Sequence, residues 1–498
     1  MSEYERRLRE FKKHVSEMES YDYLLNTVLA WERTCVMPRK SREFSNGTFE
    51  FLGQKLHLLG TTPEFLANMD YLHKHPRNDW VTNSTINSLM SKMKYLNDIP
   101  KERYGEYLFA LSRAEENWEA ARKANDFNLF AESLDEIILF LKEFATYWGY
   151  ENNHYEGLIS SYIDGCSASF IEEIVTDLKE AILPQVKHGL KKQQNVNPHI
   201  KEDNILVFTK EEQEDIWNII LEELGFDFSR GMMKVGPYTT IFANSTEDVR
   251  LVNSYSENDV FVGIFNLLHS GGKAIYHQSI DKKLLGTMLA DPPSGVIKEG
   301  IGRLYENIIG KSRGFWERVN DKIKVKVDRW DFTVDEIEQY VLAPKVNLNR
   351  LESDEVTYLI HVIIRYEIEC ELINGHIKAN EVKELWKAKY KEYLDLEVSS
   401  DVEGVLQDVH WALGYVGYFP TYLIANMISA QLARQMYKEL GDLNKIIAED
   451  GLGKINQWLK DNIYVWGARY STVELINKAC REKLTPQYYI EYLQTKYL

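Results

Sequence analysis

The chain has 498 residues, of which 44% are hydrophobic and 27% are charged, the composition of an ordinary soluble globular protein. Its formal charge of −17 argues against nucleic acid or an anionic membrane as a partner. The N-terminal residues are charged and lack the apolar core of a signal peptide, and no apolar run is long enough to span a membrane. The four cysteines are scattered and form no Cys-x-x-Cys pair, so we expect reduced thiols and a cytoplasmic protein.

Helical periodicity dominates the first half of the chain, where proline and glycine breaks are few. Apolar residues recur at helical spacing among charged ones, as expected for helices that bury one face. The segments predicted to be helical are 2–20, 21–36, 101–124, 128–149 and 169–193. No internal repeat and no low-complexity linker divides the chain, so we predict one domain over residues 1–498.

The pattern changes near residue 225, where two short runs are rich in β-branched and aromatic residues, YTTIFA and VRLVNSY. They predict a small antiparallel sheet, whose edge would suit an extended peptide. Helix is predicted again over 258–280, a loop with Pro-Pro and two glycines over 281–295, and helix over 296–312. Later helices are predicted at 351–377, 380–396 and 420–440 and, with breaks, over 452–498. The predicted fold class is all-α with one small antiparallel sheet.

One pentapeptide, His269-Ser270-Gly271-Gly272-Lys273, lies in the predicted helix 258–280. A helical His-Glu-x-x-His places two imidazoles one turn apart with a carboxylate beside them, which supplies two ligands and a general base to a zinc hydrolase. Here only the first histidine of that pattern is present. Taken alone, the stretch is either a motif that has lost its chemistry or no motif.

Longer stretches on both sides are distinctive: GFDF at 225–228, EDVRL at 247–251, LHSGGKAIYHQ at 268–278, GT at 286–287, RLYENIIGKSRGFWE at 303–317, RLESDEVTYLIHVIIRYEIE at 350–369 and VLQDVHWALGYVGYFPTY at 405–422. Through them the chain resembles the Taq-type (thermostable) metallocarboxypeptidases over nearly its whole length. The resemblance implies a mainly helical, two-lobed, clam-like body around a deep groove with the sheet beside it, and a homodimer. It also implies release of C-terminal residues from peptides with a zinc or cobalt ion.

The resemblance also assigns roles to the residues around the pentapeptide. His269 and Glu299 fall at two of the family's three metal-ligand positions, whereas Lys273 falls at the second-histidine position and Ser270 at the general-base position. Further departures from the family pattern lie at Val252, Lys298, Gly300, Ile301, Tyr464 and Trp466. The long stretches that would form the scaffold therefore match the family, whereas several positions that would carry its chemistry hold other residues.

The two central substitutions have direct chemical consequences. A serine hydroxyl cannot accept the proton of a metal-bound water at neutral pH without an activator of its own, and a protonated Lys273 repels a cation. We therefore expect a divalent metal to bind weakly or not at all, and Lys273 to form an ion pair with Glu299 in its place. His277 lies two turns after His269, roughly 11 Å away, which is too far for both to share one ion.

Three residues match family positions that hold the peptide. Arg350 would bind the terminal carboxylate, for which a planar guanidinium is suited, His410 would line the groove, and Tyr418 could donate to an oxyanion. His410 could also approach the metal position. Plainer interpretations stay open for each group of residues: Arg350 paired with Glu352 or Asp354, Tyr418 in the core, His269 packed as an ordinary histidine, and Glu299 paired with Lys298 or Arg303.

We interpret the chain as a carboxypeptidase-family protein whose activity is impaired or absent, a pseudo-enzyme that could bind peptide C-termini. The alternative is an active metallocarboxypeptidase with an altered metal site. A third possibility is a structural or regulatory protein with no ligand in the groove. Metal content separates the first two, and binding that depends on Arg350 and on a free C-terminus separates the first from the third.

Overall fold

The computed structural model describes residues 1–193 and 205–498, which form two compact units. The first unit comprises Met1–Met93, Pro198–Val341 and Ile428–Lys483. The second unit comprises Lys94–Asn197, Leu342–Met427 and Leu484–Leu498. The two-lobed, clam-like body around a groove, which the family resemblance implies, stays a prediction. In the described ranges no helix combines the length and the apolar character that a membrane crossing requires.

The structure is mainly helical, which confirms the predicted class. The α-helices are α1 (Glu3–Asp22), α2 (Arg39–Phe44), α3 (Asn46–Thr61), α4 (Pro63–Lys74), α5 (Trp80–Asn97), α6 (Lys101–Ala124), α7 (Asn128–Tyr147), α8 (His154–Tyr162), α9 (Ala168–Gln193), α10 (Lys210–Leu224), α11 (Val260–Ser279), α12 (Gly295–Arg303), α13 (Arg313–Lys326), α14 (Val334–Val341), α15 (Glu355–Asn374), α16 (Val382–Leu394), α17 (Pro420–Leu440), α18 (Leu443–Asp450), α19 (Gly453–Asn462), α20 (Thr472–Cys480) and α21 (Gln487–Tyr497).

Shorter helical segments of other geometry connect these helices. Three π-helical segments are Tyr23–Leu29, Glu32–Val36 and Leu304–Ile309, and the 3₁₀ segments are Lys282–Leu284, Arg350–Glu352, Ala379–Glu381 and Tyr464–Arg469. The predicted helices 21–36 and 296–312 are therefore helical but partly π-wound. The pattern of apolar residues does not distinguish these windings, because they shift the spacing by less than one residue per turn.

The sheet has three strands, β1 (Gly231–Val235), β2 (Thr240–Ser245) and β3 (Asp248–Asn253), in the order β1-β3-β2. The two predicted runs are β2 and β3, and they pair antiparallel with Ile241 opposite Leu251. The third strand, β1, pairs parallel with β3, so the prediction of a purely antiparallel sheet is wrong. The sequence of β1, GMMKV, has one β-branched residue, Val235, and no aromatic residue, so it lacks the run of such residues that identified the other two strands.

Helix α11 lies in the core of the first unit and carries the pentapeptide. Asp259 caps its N-terminus by accepting from the Phe261 amide, and most of its later residues are buried. A Cβ on Gly271 would lie 2.7 Å from Leu224, and one on Gly272 would lie 2.5 Å from the Tyr305 ring. Both glycines are thus required by close packing, which offsets their poor helix propensity.

Helix α15 has the corresponding place in the second unit. Asp354 caps it by accepting from the amides of residues 356 and 357, and the helix buries His361, Arg365 and Glu369 completely. Fully buried ionisable groups need partners, and each of the three has hydrogen bonds to neighbouring side chains. This buried polar helix organises the cluster that contains Arg350.

Candidate functional site

The sequence-predicted metal positions come together in the first unit. His269 and Lys273 project from one face of α11 toward α12, which carries Glu299. The Nε2 atom of His269 lies 3.1 Å from Glu299 Oε2, and the Lys273 ammonium donates to the other carboxylate oxygen, Oε1. The ion pair expected between Lys273 and Glu299 is present, so the plainer pairing of Glu299 with Lys298 is wrong.

A second carboxylate, which the sequence did not single out, closes the other side of the imidazole. Glu306 lies in the π-helical segment Leu304–Ile309, and its Oε2 atom is 2.9 Å from His269 Nδ1. Arg303 in turn donates to both oxygens of Glu306, at 3.0 and 3.2 Å. The sequence could have indicated Glu306 by its position seven residues after Glu299, which is two helical turns along the same face.

These five side chains form a continuous network in the order Lys273, Glu299, His269, Glu306, Arg303, which we call the Lys273 network. Each keeps a quarter or less of its side-chain surface exposed. Gly302 packs against the His269 ring so closely that a Cβ there would lie 2.6 Å from the imidazole Cε1. The ring is therefore held in one plane by the backbone of α12 and by carboxylates at both nitrogens.

The electrostatics of the Lys273 network favour ionised carboxylates. Burial opposes ionisation of Glu299, but the Lys273 ammonium and His269 outweigh it and hold the pKa of Glu299 well below its ordinary value. Burial likewise opposes ionisation of Glu306, yet Arg303 and His269 lower its pKa to about 2. Burial lowers the pKa of Lys273, and its pairing with Glu299 counteracts only part of that effect.

The donor atoms of the Lys273 network contact one another. Both ring nitrogens of His269 face carboxylate oxygens, one of Glu299 and one of Glu306. The Lys273 ammonium has no lone pair, and it is bonded to Glu299, the residue that the family resemblance placed at a metal-ligand position. Within residues 1–193 and 205–498, no group of three or more His, Cys, Asp or Glu side chains is arranged to hold a metal ion.

His277 does not join the Lys273 network. Its side chain is completely buried, and its Nε2 atom lies 3.8 Å from Asp291 Oδ1. Burial holds the pKa of His277 well below its ordinary value, so the ring is neutral. At the base position, Ser270 is buried with only 5% of its surface exposed.

The predicted substrate residues come together in the second unit. Arg350 is 4% exposed and donates from its two terminal nitrogens to the Tyr358 hydroxyl and to Asp408 Oδ1, each at 2.9 Å. Arg365 donates from Nε to the other oxygen of Asp408 at 2.7 Å. Burial opposes ionisation of Asp408, but Arg365 and Arg350 outweigh it and keep its pKa far below the ordinary value.

The alternative partners that the sequence offered for Arg350 are engaged elsewhere. Glu352 accepts from the side-chain amides of Asn347 and Asn349, and Asp354 caps α15, so both predicted pairings are wrong. Sequence reasoning could not find Asp408, because it lies 58 residues further along in an irregular segment.

His410 and Tyr418 lie close to this arginine cluster. His410 Nε2 is 3.3 Å from the Tyr422 hydroxyl and its Nδ1 is 3.8 Å from Asp408 Oδ1. Burial lowers the pKa of His410 to about 4, so the ring is neutral at physiological pH. The Tyr418 ring packs edge-on against Tyr162, at 5.2 Å between centroids, and lies 5.9 Å from the His410 ring.

Comparison with known proteins gives one consistent result. The sequence profile of the carboxypeptidase Taq (M32) metallopeptidases matches residues 10–497. Carboxypeptidase 1 of Bacillus subtilis is 33% identical, with 97% of this chain and 98% of that protein aligned. Thermostable carboxypeptidase 1 of Thermus thermophilus is 28% identical over 98% of this chain and 97% of its own length. The crystal structure of the M32 carboxypeptidase from Deinococcus radiodurans R1 superposes with a TM-score of 0.93 at 26% identity, covering 99% of both chains.

Proposed function

Because this chain belongs to the carboxypeptidase Taq (M32) family of metallopeptidases, we propose that it binds the carboxyl ends of peptides without hydrolysing them. The family is one of metal-dependent carboxypeptidases. One observation carries the proposal: an ammonium group, that of Lys273, occupies the second-ligand position and is bonded to Glu299. We further expect, from the family resemblance, a cytoplasmic homodimer.

The loss of hydrolysis follows from the requirements of the reaction. A metal-bound water needs at least three protein ligands, an open coordination position and a base that takes its proton. Ser270 supplies no base, and the cation of Lys273 opposes the arrival of a second, divalent cation. Residual turnover would have to use a base other than the residue at position 270.

The arginine cluster supports retention of peptide binding. Arg350 and Arg365 share the single carboxylate of Asp408, so the three groups together carry one net positive charge in a buried setting. One incoming carboxylate neutralises that charge, and the Nε atom of Arg350 is buried with no hydrogen-bond partner among the residues that the structure describes. A buried guanidinium with an unused donor is chemically suited to a peptide's terminal carboxylate.

The first experiment measures metal and activity together. Metal analysis of the purified protein should give well under one equivalent of zinc or cobalt, and a peptide with an unblocked C-terminus should release no residue, with or without added metal. Stoichiometric metal with release that a chelator abolishes would refute the proposal in favour of an active carboxypeptidase with an altered site.

The second experiment measures binding. A peptide with a free carboxylate should bind roughly 10- to 100-fold more tightly than the same peptide with a C-terminal amide, because the buried charge loses its partner in the amide. Arg350→Gln should remove that difference. The amidated peptide is the matched control, since it tests the carboxylate without altering the protein. Equal affinity for both peptides would favour the structural or regulatory role.

A further inference from the structure

A cluster of aromatic rings and cations lies in the first unit, apart from the residues of the Lys273 network. It is built from Trp80 at the start of α5, from Trp466 and Arg469 in the 3₁₀ segment Tyr464–Arg469, from Tyr470 directly after it, and from Lys478 on α20. The rings and Arg469 are half-buried, and Lys478 is exposed. We call these five residues the Arg469 cluster.

The geometry of the Arg469 cluster brings the arginine against three rings. The Arg469 guanidinium carbon lies 4.0 Å from the Trp80 ring centroid, 5.0 Å from that of Tyr470 and 5.1 Å from that of Trp466. The Lys478 ammonium lies 5.0 Å from the centroid of the same Trp466 ring. Contacts with three rings restrain the position of the guanidinium, which still carries its N–H donors.

The segment that carries Arg469 is itself held in place. The amide of Ala468 donates to the carbonyl of Leu289 at 3.0 Å, and Ser294 at the start of α12 shares a hydrogen bond of 2.6 Å with Thr472. Hydrogen bonds therefore hold the chain on both sides of Arg469, so the position of Arg469 does not depend on the ring contacts alone.

Neither cation is neutralised within the part of the chain that the structure describes. Arg469 and Lys478 make no ion pair and no hydrogen bond to any described residue, although the chain as a whole carries a charge of −17. The one acidic residue of α20, Glu474, is occupied in capping that helix, where it accepts from the Ser471 amide and hydroxyl at 2.9 and 3.0 Å. Most other buried or half-buried cations of the first unit, such as Lys273 and Arg303, have a carboxylate partner.

From this arrangement we propose that the Arg469 cluster is a binding site for a phosphate-type oxyanion, either inorganic phosphate or the phosphate group of an ester. A guanidinium edge binds two oxygens of one anion, and a neighbouring ammonium adds a point charge for a third. Cations already lie over the Trp80 and Trp466 rings, so the contacts that we propose are charge and hydrogen bonds and not base stacking. The occupant is therefore recognised by its oxyanion and not by an aromatic group.

The test is a titration of the full chain with inorganic phosphate at low ionic strength, followed by calorimetry and by the intrinsic tryptophan fluorescence. We expect saturable binding of one phosphate with a dissociation constant on the order of 0.1–1 mM. Arg469→Gln should weaken binding at least ~10-fold and Lys478→Gln several-fold. Trp80→Leu changes no charge but removes the ring that restrains Arg469, so it should also weaken binding several-fold.

Matched controls separate a built site from general electrostatics. Lys454→Gln makes the same charge change as Lys478→Gln at an exposed cation that pairs with Asp450, and it should leave phosphate affinity unchanged. If Arg469→Gln fails to fold, Arg469→Lys keeps the charge and loses the planar fork, and it should bind several-fold more weakly than the natural chain. A phosphate monoester that binds more tightly than free phosphate identifies an ester as the source, and one that binds more weakly identifies free phosphate.

Four results would overturn the proposal. The first is an absence of saturation up to about 10 mM phosphate, and the second is an Arg469→Gln protein that binds as tightly as the natural chain. The third is equal weakening by Lys454→Gln and Lys478→Gln, which would attribute the affinity to net charge. Binding of citrate as tight as that of phosphate would overturn the assignment to the phosphate class.

Discussion

Replacing Lys273 by Met tests whether the Lys273 network holds the first unit together. The substitution keeps the apolar stem of the side chain and removes the ammonium, so Glu299 loses its charged partner and keeps only His269. An uncompensated carboxylate in a mostly buried place is costly, because water cannot replace the lost partner. The fold should survive with reduced stability of the region that joins α11 to α12.

The expected magnitude follows from the burial of the pair. Breaking a fully buried ion pair costs about 3–5 kcal/mol, but Glu299 keeps 25% of its side chain exposed and one contact with His269. We therefore expect the free energy of unfolding to fall by about 2–3 kcal/mol at pH 7. Lys454→Met removes the same group from an exposed pair with Asp450, whose side chains are 62% and 48% exposed, and should cost at most about 0.5 kcal/mol.

The pH dependence of this difference has a definite sign. The folded-state pKa of Glu299 is below its unfolded value, so its ionisation stabilises the fold above the unfolded pKa, and this is lost as the pH falls through the folded pKa. In Lys273→Met the carboxylate can protonate at a higher pH, which relieves the unpaired charge. The difference between the two proteins should therefore already be smaller at pH 4 than at pH 7.

The assay is urea unfolding of both variants and the natural chain at pH 7 and pH 4, with hydrogen exchange of the α11 and α12 peptides to locate the loss. A loss at pH 7 no larger than that of Lys454→Met would refute the reasoning. So would a loss of 2–3 kcal/mol that is the same at both pH values, since an unpaired carboxylate must respond to protonation.

Three further predictions concern neighbouring features. Lys273→His combined with Ser270→Glu should take up one equivalent of zinc, measured by metal analysis after dialysis, and a protein that stays metal-free would contradict it. Burial raises the pKa of Glu369 to about 7, although Trp411 and Tyr155 donate to it, so its contribution to stability should be fully present below about pH 4.3 and be lost as the pH rises through 7. Glu369→Gln should flatten that dependence in melting curves, and an unchanged slope would count against it. Gly272→Ala should lower the free energy of unfolding by about 1–3 kcal/mol, because the new Cβ meets the Tyr305 ring at 2.5 Å, and an unchanged melting temperature would show that the ring moves freely.

The helical half of the fold was predictable because long amphipathic segments leave a periodic signal. The predicted bounds of α6, 101–124, agree with the structure, and those of α11 differ by one or two residues. Strand β1 and the π-helical segment Leu304–Ile309 were not predicted, since both depend on neighbours that are distant in the chain. The parallel pairing of β1 requires β3, and no property of GMMKV alone specifies it.

The residues of the candidate sites were also predictable from the sequence only in part. Spacing within one helix placed His269 and Lys273 on one face, and the family resemblance added Glu299, which in the structure contacts both of them. Asp408 was missed as the partner of Arg350 because the contact joins segments 58 residues apart, for which periodicity carries no information. Glu306 lay within reach of a spacing argument, seven residues after Glu299, and was missed.

A charge balance links the two central substitutions. In the His-Glu-x-x-His pattern a divalent cation carries two positive charges, and the base and the ligand glutamates carry one negative charge each, so the sum is zero. Here Lys273 carries one positive charge, Ser270 carries none and Glu299 carries one negative charge, so the sum is again zero. Either substitution alone would leave a net charge in a mostly buried place, where an unpaired charge is expensive. Under the proposed function, the exchange of the metal for Lys273 and of the base for Ser270 is therefore one electrostatic change, and reverting only one of the two positions should be worse tolerated than reverting both with metal present.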